Sequence, residues 1–270
     1  MSTEQKYETL LALLREAGSL AVAFSGGVDS SFLLYAAQEA LGERCLAITL
    51  RSVFTPAREM AEAAQFCRER GLRQEILDAD VLGIPGVAEN PPDRCYLCKR
   101  SLFTQVRQRA EALGFHTLAE GSNADDLSDY RPGLRAVREL RILSPLCEAG
   151  LGKAEIRALS RRFGLPTADK PSFACLASRF PYGDTITPEG LKRVDQAEQL
   201  LLEHGFHQFR VRSHGDLARI ELLPEEMPRL WDEALRNDLE RSLKNLGFLY
   251  VALDLGGYRA GSLNAALKTC

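Results

Sequence analysis

The chain lacks most of what would tie it to a membrane, to a broad nucleic-acid surface or to an oxidising compartment. Its 34 Lys and Arg against 37 Asp and Glu leave a formal net charge of −3 over 270 residues. That speaks against an extended basic face for RNA or DNA. No apolar run approaches the roughly 18 residues needed to cross a bilayer. The first stretch, "MSTEQKYETLLALLREAG", is amphipathic and partly acidic, without the basic start and unbroken apolar core of a secretory signal. The expectation is a cytoplasmic protein with no membrane and no nucleic-acid partner. There the seven cysteines read as thiols or ligands, not disulfides. No internal repeat or low-complexity tract is present. Two familiar phosphate-loop patterns are also missing: there is no G-x-G-x-x-G, and "GLGKAE" at Gly150–Glu155 fails the Walker pattern in both spacing and hydroxyl.

What is present is alternation. Strand-like runs at Leu20–Phe24, Cys45–Leu50, Gln74–Leu77, Phe115–Glu120 and Arg141–Leu146 are interleaved with helical patterns at Asp29–Leu41, Pro56–Arg70, Cys98–Leu113 and Lys153–Phe163. That order predicts an α/β fold, a Rossmann-like doubly wound parallel sheet with helices on both faces. Periodicity fades over Leu165–Pro188, which reads as a functional loop or linker. A helix over Glu189–His204, a hairpin of Phe209–Ser213 and Leu217–Leu222, a helix over Pro224–Leu246 and a strand over Phe248–Leu253 then predict a smaller C-terminal α+β domain. The expected division is residues 1–166 and 167–270.

The run "AVAFSGGVDSSFLL", Ala21–Leu34, places a glycine turn between a buried strand and a helix. Such a turn directs several backbone N–H groups and the positive end of the helix dipole at one point. Gly26 and Gly27 allow close backbone approach, and Ser25, Ser30 and Ser31 add hydroxyls. The chemistry is that of a phosphate site. The plainer alternative is a glycine turn with Asp29 capping the helix. "SGGVDS" resembles the loop of the PP-loop, or N-type, ATP pyrophosphatases. That resemblance implies cleavage of ATP between its α and β phosphates, with Asp29 helping to hold magnesium or to position the loop. "AEGSNADD", Ala119–Asp126, resembles a second nucleotide-lining stretch of the same superfamily and implicates Gly121 and Asp125. "SPLCEAGLGKAEIRALSRRFGLP" resembles the usual close of the ATPase domain, where Lys153 reads either as a phosphate neighbour or as an exposed lysine in a first helical turn.

Three cysteines stand apart. "PPDRCYLCKR" holds Cys95 and Cys98, and "KPSFACLASRFPYG" holds Cys175. Cys45, Cys67, Cys147 and Cys270 read as packing or incidental. A cytoplasmic C-x-x-C serves redox chemistry, zinc, an iron–sulfur cluster or structure alone. Structural zinc takes four protein ligands, and His116, His204, His207 and His214 lie in unpromising contexts. Three cysteines without a clear fourth ligand suit a [4Fe–4S] cluster with one open iron. Arg210 and Arg212 flank Val211, so a strand puts both on one face, where guanidinium groups bind phosphate and carboxylate or simply meet solvent. Arg179 offers the same chemistry. Glu221 and Asp216 are weaker candidates, and Glu221 also reads as a partner of Arg219.

Taken with "RVRSHGDLARIE" and "GYRAGSLN", these runs resemble the LarE-type sulfur transferases over nearly the whole chain. The resemblance implies ATP, Mg2+ and a small nucleotide substrate, pyridinium-3,5-biscarboxylic acid mononucleotide. Its carboxylate is adenylated and then converted to a thiocarboxylate, for nickel-pincer nucleotide synthesis. Two sulfur sources exist in the family: a sacrificial cysteine at the position of Cys175, or a [4Fe–4S] cluster held at the positions of Cys95, Cys98 and Cys175. This chain has all three, which favours the cluster. A homo-oligomer and a sulfur donor or cluster-assembly partner are further implications. A PP-loop tRNA thiolase is the rival, opposed by the acidic charge balance and the lack of spare length for an RNA-binding module.

Overall fold

A computed structural model of the chain describes all residues except 129–131, 172–173, 260 and 268–270. Ser172 and Phe173 of the Cys175 run, Ala260 of the tail motif and Cys270 therefore lie outside the described residues. The chain divides into two compact units, one of residues 1–84 and 95–173, the other of residues 85–94 and 174–270.

The first unit is built on four parallel strands: β1 (Leu20–Ala23), β2 (Cys45–Arg51), β3 (Gln74–Asp78) and β4 (Leu118–Ala119), ordered β3-β2-β1-β4. Its helices are α1 (Thr3–Glu16), α2 (Val28–Leu41), α3 (Ala57–Glu69), α4 (Arg94–Ala112), α5 (Pro132–Glu139), α6 (Pro145–Glu148) and α7 (Lys153–Arg162). The strands are apolar on both sides because both sides are covered. Leu20 and Val22 of β1, with Cys45 and Ala47 of β2, face a core shared with Leu10, Leu14, Phe32, Leu33 and Ile156. Ala21, Leu46 and Ile48, one residue out of phase, face Phe103, Val106, Ala110 and Val137 of α4 and α5. The expected doubly wound α/β architecture is what the strand order and two-sided cover give.

Arg141–Leu146 is not a strand of any length. Leu143 makes one parallel bridge to Ala119, and Pro145 then opens α6, because a proline has no N–H for the ladder but suits a first helical turn.

The second unit holds α8 (Pro188–Glu203), β5 (Phe209–His214), β6 (Leu217–Leu222), α9 (Glu233–Asn245) and β7 (Tyr250–Leu253). Strands β5 and β6 form the expected antiparallel hairpin, and β7 adds parallel to β6. The helix expected over Pro224–Leu246 is split. A short 3-10 stretch covers Met227–Trp231, and α9 restarts after Asp232, whose side chain accepts from the Leu235 amide as an N-cap.

Residues 85–94 precede the expected linker yet fold with the second unit. Asn90, buried and held at φ +53°, donates to the carbonyls of Phe180 (3.2 Å) and Pro181 (2.6 Å). The Gly183 amide returns a bond to its carbonyl at 2.9 Å. Arg94 bonds the Asn90 side chain and, at 3.0 Å, the carbonyl of Ala177.

Candidate functional site

The sheet order runs β1-β2-β3 in one direction and places β4 on the other side of β1. Between β1 and β4 the winding reverses, and ligands of open α/β sheets bind at the carboxyl ends of strands beside such a reversal. Both glycine-bearing loops, 24–27 and 120–123, emerge there. Gly26 takes φ +73° and its Cα lies so close to α3 that a Cβ would meet that of Ala63 at 3.0 Å. Gly27 is the N-cap of α2 and offers no side-chain cap. Asp29 sits inside the first turn, so the capping alternative for it does not hold. The first amides of α2 are thereby left for an anion. Ser25 and Ser30 frame them, with hydroxyls 3.0 Å apart.

The second loop packs directly on this terminus. A Cβ on Gly121 would lie 2.9 Å from the Ser30 nitrogen, so only glycine lets the two loops close. The loop is shaped from behind by Glu120, which is buried and accepts from the Ser122 amide at 3.0 Å, the Ser122 hydroxyl at 2.8 Å and the Ser144 hydroxyl at 2.8 Å. Asp125 accepts from the Lys153 amide at 2.8 Å, which fixes the start of α7. From there Lys153 reaches Asp29, Nζ to Oδ2, at 2.6 Å. The other carboxylate oxygen, Asp29 Oδ1, is buried and accepts no hydrogen bond, as a group reserved for a cation would be. Replacing Gly121 by alanine is expected to lower ATP turnover roughly 100-fold, since a shift of about 1 Å in positioning groups costs that much. Pyrophosphate release at saturating ATP checks it.

In the second unit Cys175 is exposed and opens a short 3-10 turn, Leu176–Arg179. Two arginines grip this turn. Arg179, fully buried, donates to the carbonyls of Ala174 (2.7 Å) and Cys175 (3.2 Å). It also forms a two-pronged pair with Glu198 of α8, at 2.8 and 2.7 Å. Arg212 of β5 donates to the Ser178 carbonyl at 2.6 Å and pairs with Glu221 of β6 at 3.0 and 2.9 Å. Glu221 takes Arg219 as well, at 3.2 Å. Arg210 and Arg212 are both buried, so the solvated-face alternative fails. Burial opposes the charge on Glu198 and on Arg179, but each partner outweighs it: the Glu198 carboxyl is held below its usual range and the Arg179 guanidinium above its own. Arg210 goes the other way. Burial, then the neighbouring Arg179, push its pKa down to about 10. Arg179, Arg210 and Arg212 with Glu198 and Glu221 thus leave one positive charge in excess beside Cys175, a setting that favours an anion.

The profile of the NAD synthase family matches residues 7–84, the span that carries the first loop. A protein of Synechocystis, described as uncharacterised, is 41% identical over 98% of both chains. The pyridinium-3,5-bisthiocarboxylic acid mononucleotide synthase of Lactiplantibacillus plantarum is 38% identical over 97% of this chain and 95% of its own. The chain belongs to the LarE-type family. It is an ATP-utilising sulfurtransferase. A tRNA-specific 2-thiouridylase of Xanthobacter autotrophicus is 31% identical, but over 56% of this chain and 48% of its own.

Against that family frame, Ser25, Gly26, Gly27, Asp29, Ser30, Gly121 and Asp125 gather at one end of the sheet of the first unit. In the second, Arg179 bonds the Cys175 carbonyl, Arg212 with its partner Glu221 bonds the Ser178 carbonyl of the same turn, and Arg210 neighbours Arg179. Asp216 sits instead in the hairpin turn, its carbonyl accepting from Leu249 and Tyr250. Cys95 and Cys98 stand one helical turn apart at the start of α4, on one side of it. Of the other described cysteines, Cys45 and Cys67 are buried with thiols pushed to about 12, and Cys147 to about 11, by burial first. These are packing thiols. Glu120 and Glu198 escaped the sequence reading. The signal for Glu198 was a carboxylate on the apolar face of α8, between Val194 and Leu201. Among the described residues, no helix is long and apolar enough to cross a membrane.

Proposed function

We propose that the chain adenylates a carboxylate of pyridinium-3,5-biscarboxylic acid mononucleotide and converts it to a thiocarboxylate, with the sulfur source held at Cys95, Cys98 and Cys175. The reading rests on the joined loops: Gly121 backed on the uncapped start of α2, with Asp29 Oδ1 unfilled. In this reading the α2 amides and the hydroxyls of Ser25 and Ser30 hold the β and γ phosphates of ATP. Asp29 holds Mg2+ through Oδ1, and Lys153 balances charge on the other oxygen. Arg210 and Arg212 hold the phosphate and carboxylates of the substrate. A substrate carboxylate oxygen bonds to the α-phosphorus, the α–β bridge breaks and pyrophosphate leaves. Sulfur at the sulfide level then bonds to the acyl carbon and AMP departs; the bond of that sulfur to its carrier breaks, which in the sacrificial case is the Cβ–S bond of Cys175.

Among the described residues no three His, Cys, Asp or Glu side chains stand grouped for a metal ion. The donor set itself fits iron: three thiols, two of them one helical turn apart and the third exposed. A [4Fe–4S] cluster on Cys95, Cys98 and Cys175 would supply a sulfide that is nucleophilic at neutral pH. Arg179 and Arg212 would hold the Cys175 turn in place for it. A homo-oligomer and a sulfur donor or cluster-assembly partner belong to the same proposal.

The test is anaerobic iron and acid-labile sulfide analysis, together with pyrophosphate release from the pyridinium substrate. About four irons per chain with broad absorption near ~400 nm is the expected result. No iron after reconstitution would leave Cys175 as a sacrificial sulfur source, and no pyrophosphate would remove the adenylation reading.

A further inference from the structure

Lys170 lies in the irregular stretch before Cys175, far in sequence from the ATP loop. Its ammonium has three donors and meets three oxygens. It donates to the Gly26 carbonyl at 3.0 Å and to Glu59 Oε2 at 2.6 Å, and pairs as an ion with Glu62 Oε2 at 2.6 Å. Lys170 and Glu59 are almost wholly shielded, with side chains 11% and 9% exposed, so these bonds are little screened by water. The segment is pinned as well: Arg157 of α7 donates to the carbonyls of Ala168 at 2.5 Å and Lys170 at 2.8 Å.

The Gly26–Gly27 peptide is trans, so its C=O and N–H point in opposite directions. An ammonium that draws the carbonyl to one side turns the N–H of Gly27 to the other, where it faces the Ser25 hydroxyl at 3.5 Å. Gly27 is the N-cap residue of α2, so its N–H lies at the start of that helix. A glycine at positive φ flanked by a second glycine has several conformations of similar energy, and nothing in its own side chain selects one.

We propose that Lys170 is the positioning residue of the phosphate loop: it selects the peptide orientation in which the Gly27 N–H addresses the pyrophosphate end of the nucleotide. The proposal rests on the reading of Ser25–Ser30 as the ATP loop. Its signature is selectivity. Loss of Lys170 weakens ligands that carry the β and γ phosphates and spares AMP, which does not reach the loop through them.

The experiment is calorimetric titration of the full-length protein with inorganic pyrophosphate plus Mg2+, with MgATP and with AMP, for wild type, Lys170→Met and Lys170→Arg. In Lys170→Met, pyrophosphate and MgATP affinities should fall roughly 10- to 100-fold, the range for groups that orient a binding group, with AMP affinity unchanged. Lys170→Arg, which can still reach Gly26 and the two glutamates, should recover most of the loss. Should Lys170→Met fail to fold, Lys170→Gln is read in the same way. Unchanged pyrophosphate binding in a folded variant overturns the proposal, and so does an equal loss of AMP and pyrophosphate. If wild type binds neither ATP nor pyrophosphate, the loop reading itself has failed and Lys170 with it.

Discussion

Replacing Cys95, Cys98 or Cys175 by alanine, one at a time, is expected to end multiple turnover in all three proteins. They contrast with Cys45 and Cys67, which are buried where Cys95 and Cys98 are half-buried and Cys175 is exposed. Cys45 and Cys67 are sealed in the core and their thiols sit near 12, so neither forms a thiolate at neutral pH. Cys175 is exposed, and its turn is held by buried arginines that donate to its carbonyl and to that of Ser178. Cys95 and Cys98 open α4, where the residue before them is anchored through Asn90 and Ala177. Thiocarboxylate formed per chain, with ATP and substrate in excess, is the quantity to measure. Cys175→Ala should form none, and Cys95→Ala and Cys98→Ala one equivalent or less. Cys67→Ala serves as the control and should turn over as wild type. Repeated turnover by Cys95→Ala would sink the cluster reading and leave the C-x-x-C a structural element.

Glu198→Ala should be the most destabilising single change in the second unit. Glu198 is 5% exposed and Arg179 fully buried, so deletion strands a guanidinium inside the fold. The Val211 amide also loses its acceptor at 3.0 Å. Removing one partner of a buried pair costs about 3–5 kcal/mol. At roughly 2–4 °C per kcal/mol for a protein of 150–250 residues, melting should fall by about 6–20 °C. The pH dependence follows from the sign of the shift. The Glu198 carboxyl is depressed in the folded state, so its stabilisation is complete above the unfolded value of about 4.3 and is lost as pH falls through the lower folded value. Glu198→Gln should flatten that acid limb. Below the melting point, sulfur transfer should fall further than adenylation, because the turn released is that of Cys175. Unchanged melting in Glu198→Ala would show that another group balances Arg179.

What the sequence made readable was local. Strand, two glycines and helix follow one another within Leu20–Leu41, so the glycine turn that opens α2 could be read without knowing the fold. Arg210 and Arg212 were readable through the two-residue period of a strand. Lys153 was ambiguous because its partner, Asp29, lies 124 residues away, and only the sheet order brings α7 to the end of α2. Glu198 was silent because an amphipathic helix can carry one buried carboxylate without breaking its pattern. The strand expected at Arg141–Leu146 failed at Pro145, and the long helix at Pro224–Leu246 failed at Asp232. In each case one residue's backbone chemistry outweighed a favourable apolar spacing. Residues 85–94 carry no local sign of their contacts with the second unit, because the hold of Asn90 on Phe180 and Pro181 spans some 90 residues.

That last feature bears on how such a protein can be divided. The second unit is not one continuous length of gene. It borrows ten residues, 85–94, from within the first, and the borrowed piece supplies the amide that satisfies the carbonyls just beyond Cys175. A fragment beginning at Ala174 would carry the arginines and the cysteine but not their brace. Recombination between relatives that exchanged the two halves at a single point would therefore pair one parent's Asn90 and Arg94 with the other parent's cysteine turn. Inheritance of this cysteine turn is a matter of two separated stretches moving together.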